Sequence, residues 1–332
     1  MSNTFIDSTK NDSFSSLRRI DLQELLVETE NYLLEYRDKL NLPDYVTFGT
    51  EIEYEGLFKV FATEFIENNL TNWVSAVDYS LMNGGEIQSP IMRDEIEYWQ
   101  DLKKVCNYLS KKKVDTTHNA GGHIHVGAHI LGGDASAWVK FLKIYTAYEN
   151  ILFRFAYGDK INNRRKMYEY ARPTADILYN GIKNLNSSDL LIDVLLELPV
   201  NKKNLALSFY NVKLCSSKTV MQRNTIEFRS PNATTNEVIW QNNINTFTKM
   251  LVSAKNKTID EEFLNYKLKN EYLSYRENEY MYSEVNLKNA LEFVDLTFNN
   301  NLDKVYFLRQ YLKDFQENYG VKKTIVAKKF VR

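Results

Sequence analysis

Three short segments constrain this chain more than anything else in it: "FGTEIEYEG" from Phe48, "GHIHVG" from Gly122 and "TIEFRS" from Thr225. In each, apolar and polar or ionisable side chains alternate. A β-strand points successive residues to opposite faces, so each segment reads as a strand with one face for a core and one face of charged groups. Glu51, Glu53 and Glu55 share a face, with Ile52 and Tyr54 on the other. His123 and His125 oppose Ile124 and Val126, and Glu227 and Arg229 oppose Ile226 and Phe228. A strand face that merely meets water usually mixes Thr, Lys and Ser with its acids. Here the pairs are acid–acid, His–His and acid–Arg. Acids two apart on a strand repel each other unless something positive lies between them. A divalent cation removes that conflict, and Mg²⁺ prefers carboxylate oxygens.

The remainder of the chain sets these strands in order. "SSLRRIDLQELLVETENYLLEYRDKL" has helical periodicity and is broken at Pro43, so residues 1–44 are expected to form an N-terminal helical extension. The stretch "LFKVFATEFIENN" fits either helix or strand. A strand through "NWVSAVDYSL" turns at "NGG" and resumes in "EIQSP". "RDEIEYWQDLKKVCNYLSKKK" is expected to be a helix, "GGHIHVGAHI" a strand, and "DASAWVKFLKIYTAYENILFRFAYG" a long helix with Asp134 as its N-cap. "NSSDLLIDVLLEL" reads as a further helix. From about residue 236 onward the pattern is helical, in three or four segments, with Thr258 and Glu261 placed as a capping box. Helix, then strands with interposed helices, then helices again implies α+β with a largely antiparallel sheet.

A fourth piece joins the three strands. "VDYSLMNGGEIQSP" puts Asp78 and Glu86 on either side of a glycine-containing turn, and a hairpin brings both to one end of a sheet. Singly, each motif is common. Their order is specific: G-x-E-I-E, then D-x-S with G-G-E-I-x-S-P, then G-G-H-I-H-V-G, then T-I-E-F-R.

That ordered set resembles the amidoligase family, the carboxylate–amine ligase branch of the glutamine synthetase and glutamate–cysteine ligase superfamily. It spans scattered blocks from Val46 to Ala254. The resemblance implies a catalytic domain over residues 45–332, with a curved, mostly antiparallel sheet like that of glutamine synthetase and helices on its convex face. ATP and Mg²⁺ would be its cofactors. It casts Glu51, Glu53, Asp78, Glu86, His123 and Glu227 as metal ligands and His125 as a nucleotide or phosphate contact. Arg229, with Glu227, would act at the transferred phosphoryl group, and the glycines before His123 would let phosphates approach the backbone. Between the His and Glu-Phe-Arg strands, "NNRRKMYEYARP" and "LALSFYNVKLCSSK" only loosely match the family's basic, aromatic block. Arg164, Arg165, Arg172 and Lys218 are the candidates there for phosphate or substrate carboxylate. The substrates implied are a small-molecule or peptide carboxylate and an amine, joined through an acyl phosphate. Glu55 is a candidate to take the amine proton.

Two other readings of the same residues stay open. His123, His125 and Glu227 could form a zinc-dependent amide hydrolase site, although catalytic zinc usually takes several histidines. A phosphotransferase or a non-catalytic protein could share the sheet. Bulk properties narrow the setting. A formal net charge of -1 over 332 residues gives no general affinity for nucleic acid. No apolar run approaches the ~20 residues of a membrane span. With two cysteines and no apolar leader-like core near the start, the expectation is a cytoplasmic protein without disulfides, and an oligomer is left open. His118 and His129 fall outside the motifs and take no role.

Overall fold

The computed structural model describes residues 9–17, 21, 35–116, 118–157, 167–212, 224–271 and 284–312. The expected helix before Pro43 and the basic C-terminal tail fall largely or wholly outside these residues. So do Arg164, Arg165 and Lys218.

Six strands form one open sheet among the described residues, and every pairing is antiparallel. They are β1 (Phe48–Tyr54), β2 (Val74–Ala76), β3 (Gly85–Gln88), β4 (Gly122–Gly127), β5 (Leu207–Ser208) and β6 (Thr225–Phe228), in spatial order β2-β3-β1-β4-β6-β5. The three segments singled out in the sequence are therefore the three adjacent central strands, β1, β4 and β6. The helices are α1 (Lys59–Asn69), α2 (Ile96–Lys111), α3 (Ala135–Ala156), α4 (Met167–Tyr170), α5 (Ala175–Ile182), α6 (Leu191–Leu196), α7 (Glu237–Asn256), α8 (Glu261–Tyr266), α9 (Glu284–Thr297) and α10 (Asn301–Tyr311). The fold is α+β, as the pattern implied.

The apolar alternation decides which face the helices cover. Ile52, Tyr54, Ile87, Ile124, Val126, Ile226 and Phe228 all enter one core cluster with residues of α1, α2, α3 and α7. Phe228 carries much of that contact: Phe247 of α7 stacks on it at 4.2 Å between centroids, and Phe141 of α3 meets it edge-on at 6.4 Å. Trp99 of α2 stacks on Phe48 at 5.1 Å. Such ring pairs add about 0.5–1.5 kcal/mol each beyond the area they bury. The charged alternates are thereby left together on the opposite face.

Several local expectations are corrected. The ambiguous segment after β1 is helical, since Ala62 and Ile66, four apart, both face the core. The strand through the histidines stops at Gly127, and residues 128–130 form a single 3₁₀ turn. Asp134 does cap α3, accepting from the Ser136 N–H at 3.0 Å. Thr258, however, caps nothing. Asp260 takes the N-cap of α8, accepting from the Glu262 N–H at 2.9 Å, because a short carboxylate directly before the helix reaches its free amides better. Gly122, the first residue of β4, carries a packing constraint of its own. A Cβ on Gly122 would lie 2.7 Å from the Asn232 carbonyl and 2.8 Å from the Trp240 ring, so its missing side chain admits α7 to the sheet.

Candidate active site

Strand register brings the charged alternates into rows across the sheet. Glu53 lies opposite Glu86, Glu51 lies between Gln88 and His123, and His125 lies opposite Glu227, which in turn faces Ser208. Cβ atoms of such cross-strand partners are about 4.5–5.5 Å apart, which places their polar ends within reach of one another. His123, with 3% of its surface exposed, sits in the middle. Its Nδ1 is 3.0 Å from Glu51 Oε2 and 3.7 Å from Glu227 Oε1, and its Nε2 is 3.3 Å from Glu53 Oε1. His125 Nε2 lies 3.1 Å from Glu51 Oε1, and its Nδ1 meets the Thr225 hydroxyl at 3.2 Å. Arg229 donates to the Glu227 carboxylate and, through Nε, to the Tyr170 carbonyl at 3.0 Å.

The hairpin between β2 and β3 supplies the remaining acids. Gly84 makes its turn possible, since a Cβ there would overlap the Tyr54 carbonyl. Asp78 and Glu86 converge on Glu53, with ligand-type oxygens of all three within 4.8 Å of one another. Glu51, His125 and Glu227 form a second such group at the same spacing. The histidine that enters a donor group is thus His125, while His123 bridges the carboxylates of both groups. Glu55 does not join either. Its buried carboxylate accepts from the Met82 N–H at 2.7 Å through one oxygen and from the Asn119 amide at 2.9 Å through the other.

Among the described residues, charge on this face is one-sided: Glu51, Glu53, Asp78, Glu86 and Glu227 share it with the guanidinium of Arg229. The acids respond individually. Burial would raise Glu51, but hydrogen bonds from His123 and His125 outweigh it and hold the carboxyl well below the usual carboxylate range. Burial likewise opposes charge on His125, yet contact with Glu51 and the nearby Glu227 charge raise it above an ordinary histidine. Glu86 goes the other way. Burial, reinforced by the charge on Glu51, pushes it up to about 7.

Beside the Glu51–His125 corner, a cavity of about 230 Å³ opens among Thr47, Gly49, Ser89, Pro90, Ile91 and Thr225. No lysine or arginine lines it among the described residues. Two residues that the sequence reading missed touch this face. Thr225 holds His125, and Gln88 donates to Glu86 at 2.6 Å. Each lies two positions from a residue that was found, so the same period of two would have revealed them. His118 instead pairs with Asp115 at 2.8 Å and His129 with the Tyr45 carbonyl at 2.8 Å, and neither enters a donor group. Arg172 is exposed, and its backbone bridges to Leu205.

Residues 48–251, which include every element of this site, match the family described as "Putative amidoligase enzyme". The chain belongs to the amidoligase family. No curated protein matches the chain. A solved structure described as a novel glutamine synthase homolog is 10% identical, covers 93% of this chain and 74% of its own, and superposes with a TM-score of 0.41. So slight a likeness carries no argument, and the amidoligase assignment rests on the family match. No helix among the described residues is long and apolar enough to cross a membrane.

Proposed function

We propose that this amidoligase is an ATP- and Mg²⁺-dependent carboxylate–amine ligase that forms an amide bond through an acyl phosphate. The observation that supports this best is the pair of donor groups, Glu51/His125/Glu227 and Glu53/Asp78/Glu86, side by side on a face with a large excess of acid. Closely spaced buried carboxylates repel unless cations sit among them. The all-oxygen group suits a hard ion such as Mg²⁺, and the acid-rich pair as a whole suits zinc poorly, since catalytic zinc favours several imidazoles. Bound there, Mg²⁺ supplies counter-charge for the phosphoryl oxygens in transfer.

The chain's own residues do the rest in this reading. The cavity beside Glu51 and His125, free of described cationic residues, would hold the uncharged nucleoside end of ATP, with His125 as a nucleotide contact. His123 orients carboxylates of both groups at once. Arg229, held by Glu227 and the Tyr170 carbonyl, is the fixed cation assigned to the transferred group. A carboxylate is a poor acyl donor, and phosphorylation gives it a good leaving group that an amine displaces. The partners are accordingly a small-molecule or peptide carboxylate and an amine.

The test uses hydroxylamine as the amine. Protein, Mg-ATP, hydroxylamine and pools of carboxylates are incubated, and hydroxamate and ADP are measured together. Hydroxamate should track ADP in the wild type, vanish in Glu51→Gln and Glu227→Gln, and fall about 10³-fold in Arg229→Ala. ADP without hydroxamate would replace the ligase by a phosphotransferase. Undiminished turnover in either glutamine variant would overturn the assignment of the site.

A further inference from the structure

Glu55 is the one acid of the first strand's charged face that enters neither donor group. It is 8% exposed, and its position is fixed from several sides. Its backbone pairs with Asp115 through two hydrogen bonds of 2.9 Å. One carboxylate oxygen accepts from the Met82 N–H in the loop between β2 and β3, which carries Asp78. The other accepts from the Asn119 amide in the segment entering β4, two residues before Gly121, whose N–H donates to Glu53. Other hydrogen bonds of the Asp78 loop are local or long: the Asp78 carboxylate accepts from the Ser80 N–H, the Asp78 carbonyl accepts from the Leu81 N–H at 3.3 Å, and the Gly56 N–H reaches the Met82 carbonyl at 3.5 Å. Of the loop's side chains only Leu81 packs inward, 8% exposed against Ala120 and Ala233, while Tyr79 is 95% and Met82 76% exposed. Leu81 anchors the loop through apolar contact, and the Glu55 carboxylate adds the directional tie, joining the Met82 N–H to the Asn119 amide.

We propose that Glu55 is a positioning residue that builds the second donor group: by clamping the Asp78 loop to the β4 entry, it keeps Asp78 converged on Glu53 and Glu86. This rests on the reading of Glu53, Asp78 and Glu86 as ligands of a divalent ion. Groups that orient metal ligands typically cost about 10- to 100-fold in metal affinity when removed. Glutamine at position 55 keeps an oxygen for the Met82 N–H, and its NH₂ can be met by a flipped Asn119 amide, so it should preserve the clamp.

Mn²⁺ is the probe, titrated into the full-length protein alone and again with ADP, with binding followed by calorimetry and by electron paramagnetic resonance. The wild type should bind at two sites. Glu55→Ala should weaken one of them by about 10- to 100-fold and leave the other unchanged. The weakened site should be the one that Asp78→Asn also weakens and Glu51→Gln spares. Glu55→Gln should restore it, and Asn119→Ala, which removes only one arm of the clamp, should give an intermediate loss in a protein whose unfolding remains cooperative. Two intact sites in Glu55→Ala would overturn the proposal while leaving the two-site reading standing. A wild type with no site sensitive to Asp78→Asn would overturn the two-site reading, and the proposal with it. Equal loss at both sites in Glu55→Ala, unrescued by glutamine, would show Glu55 to be a general structural residue and would also overturn it.

Discussion

Among single residues, Glu86 sets the acid side of the site. With its carboxyl pushed up to about 7, it is largely protonated below that pH and offers no charge to a cation. Metal binding at Glu53, Asp78 and Glu86 must displace that proton. Divalent-ion affinity at this group should therefore fall as pH drops through about 7, approaching tenfold per pH unit below it. Mn²⁺ titrations between pH 5.5 and 8.5 will read this directly, and Glu86→Gln should flatten the profile. An affinity independent of pH over that range would exclude Glu86 from the ligand set. At this scale the sequence was informative where one rule sufficed. A period of two placed the carboxylates, imidazoles and guanidinium on one face, and a hairpin turn brought Asp78 to Glu86. Which histidine meets which acid depends on inter-strand register and side-chain rotamers, and the alternation of a single strand contains neither. For the same reason Glu55, indistinguishable in sequence from Glu51 and Glu53, turned out to hold a loop.

The elements show how helix packing reaches the site from behind. Gly122 lies in β4 directly before His123, and the opposite side of its backbone abuts Asn232 and the Trp240 ring of α7. Gly122→Ala adds a methyl group where 2.7 Å separates its Cβ position from a backbone carbonyl, so either α7 or the strand must give way. The expected cost is about 1–3 kcal/mol, measurable by urea denaturation, as for other overpacked cores. Because the displaced strand carries His123 and His125, hydroxamate formation should drop with it. Stability equal to wild type would show that α7 can retreat without consequence. Elements with strong alternation, such as β1, or strong helical periodicity, such as α3, were readable from the sequence. The short α1 was not, because Phe58, Val60 and Phe61 remain exposed and blur the pattern that Ala62 and Ile66 would otherwise give.

Over the whole molecule, distant parts of the chain meet at buried charges that no local pattern announces. Asp303 of α10, 1% exposed, accepts from Arg37 at 2.7 Å, from Lys249 of α7 at 2.6 Å and from Asn245 at 2.8 Å. Burial alone would raise its carboxyl, but the charges of Lys249 and Arg37 prevail and lower it. A depressed acid stabilises the fold fully above its unfolded value, ~3.9, and loses that contribution as pH falls through the lower folded one. Acid unfolding should therefore sharpen below pH ~4, and Asp303→Ala should cost about 3–5 kcal/mol near neutrality by leaving two cations unpaired. Denaturation curves at pH 7 and pH 3 check both, and a variant as stable as wild type at pH 7 would refute the role of this cluster. A similar knot closes the first described segment. Asp12 and Asn301 exchange hydrogen bonds of 3.1 and 2.9 Å, Asp295 accepts from the Phe14 and Ser15 amides, and Phe14 is buried to 1%. Partners some 280 residues apart emerge from a ribosome on the order of tens of seconds apart, at ~5–20 residues per second. Throughout that interval the Asp295 contacts that fix the Phe14 backbone in its buried position are missing. The docking of residues 12–15 is thus an event that waits for residues 295–301, one of the late closures of the described fold.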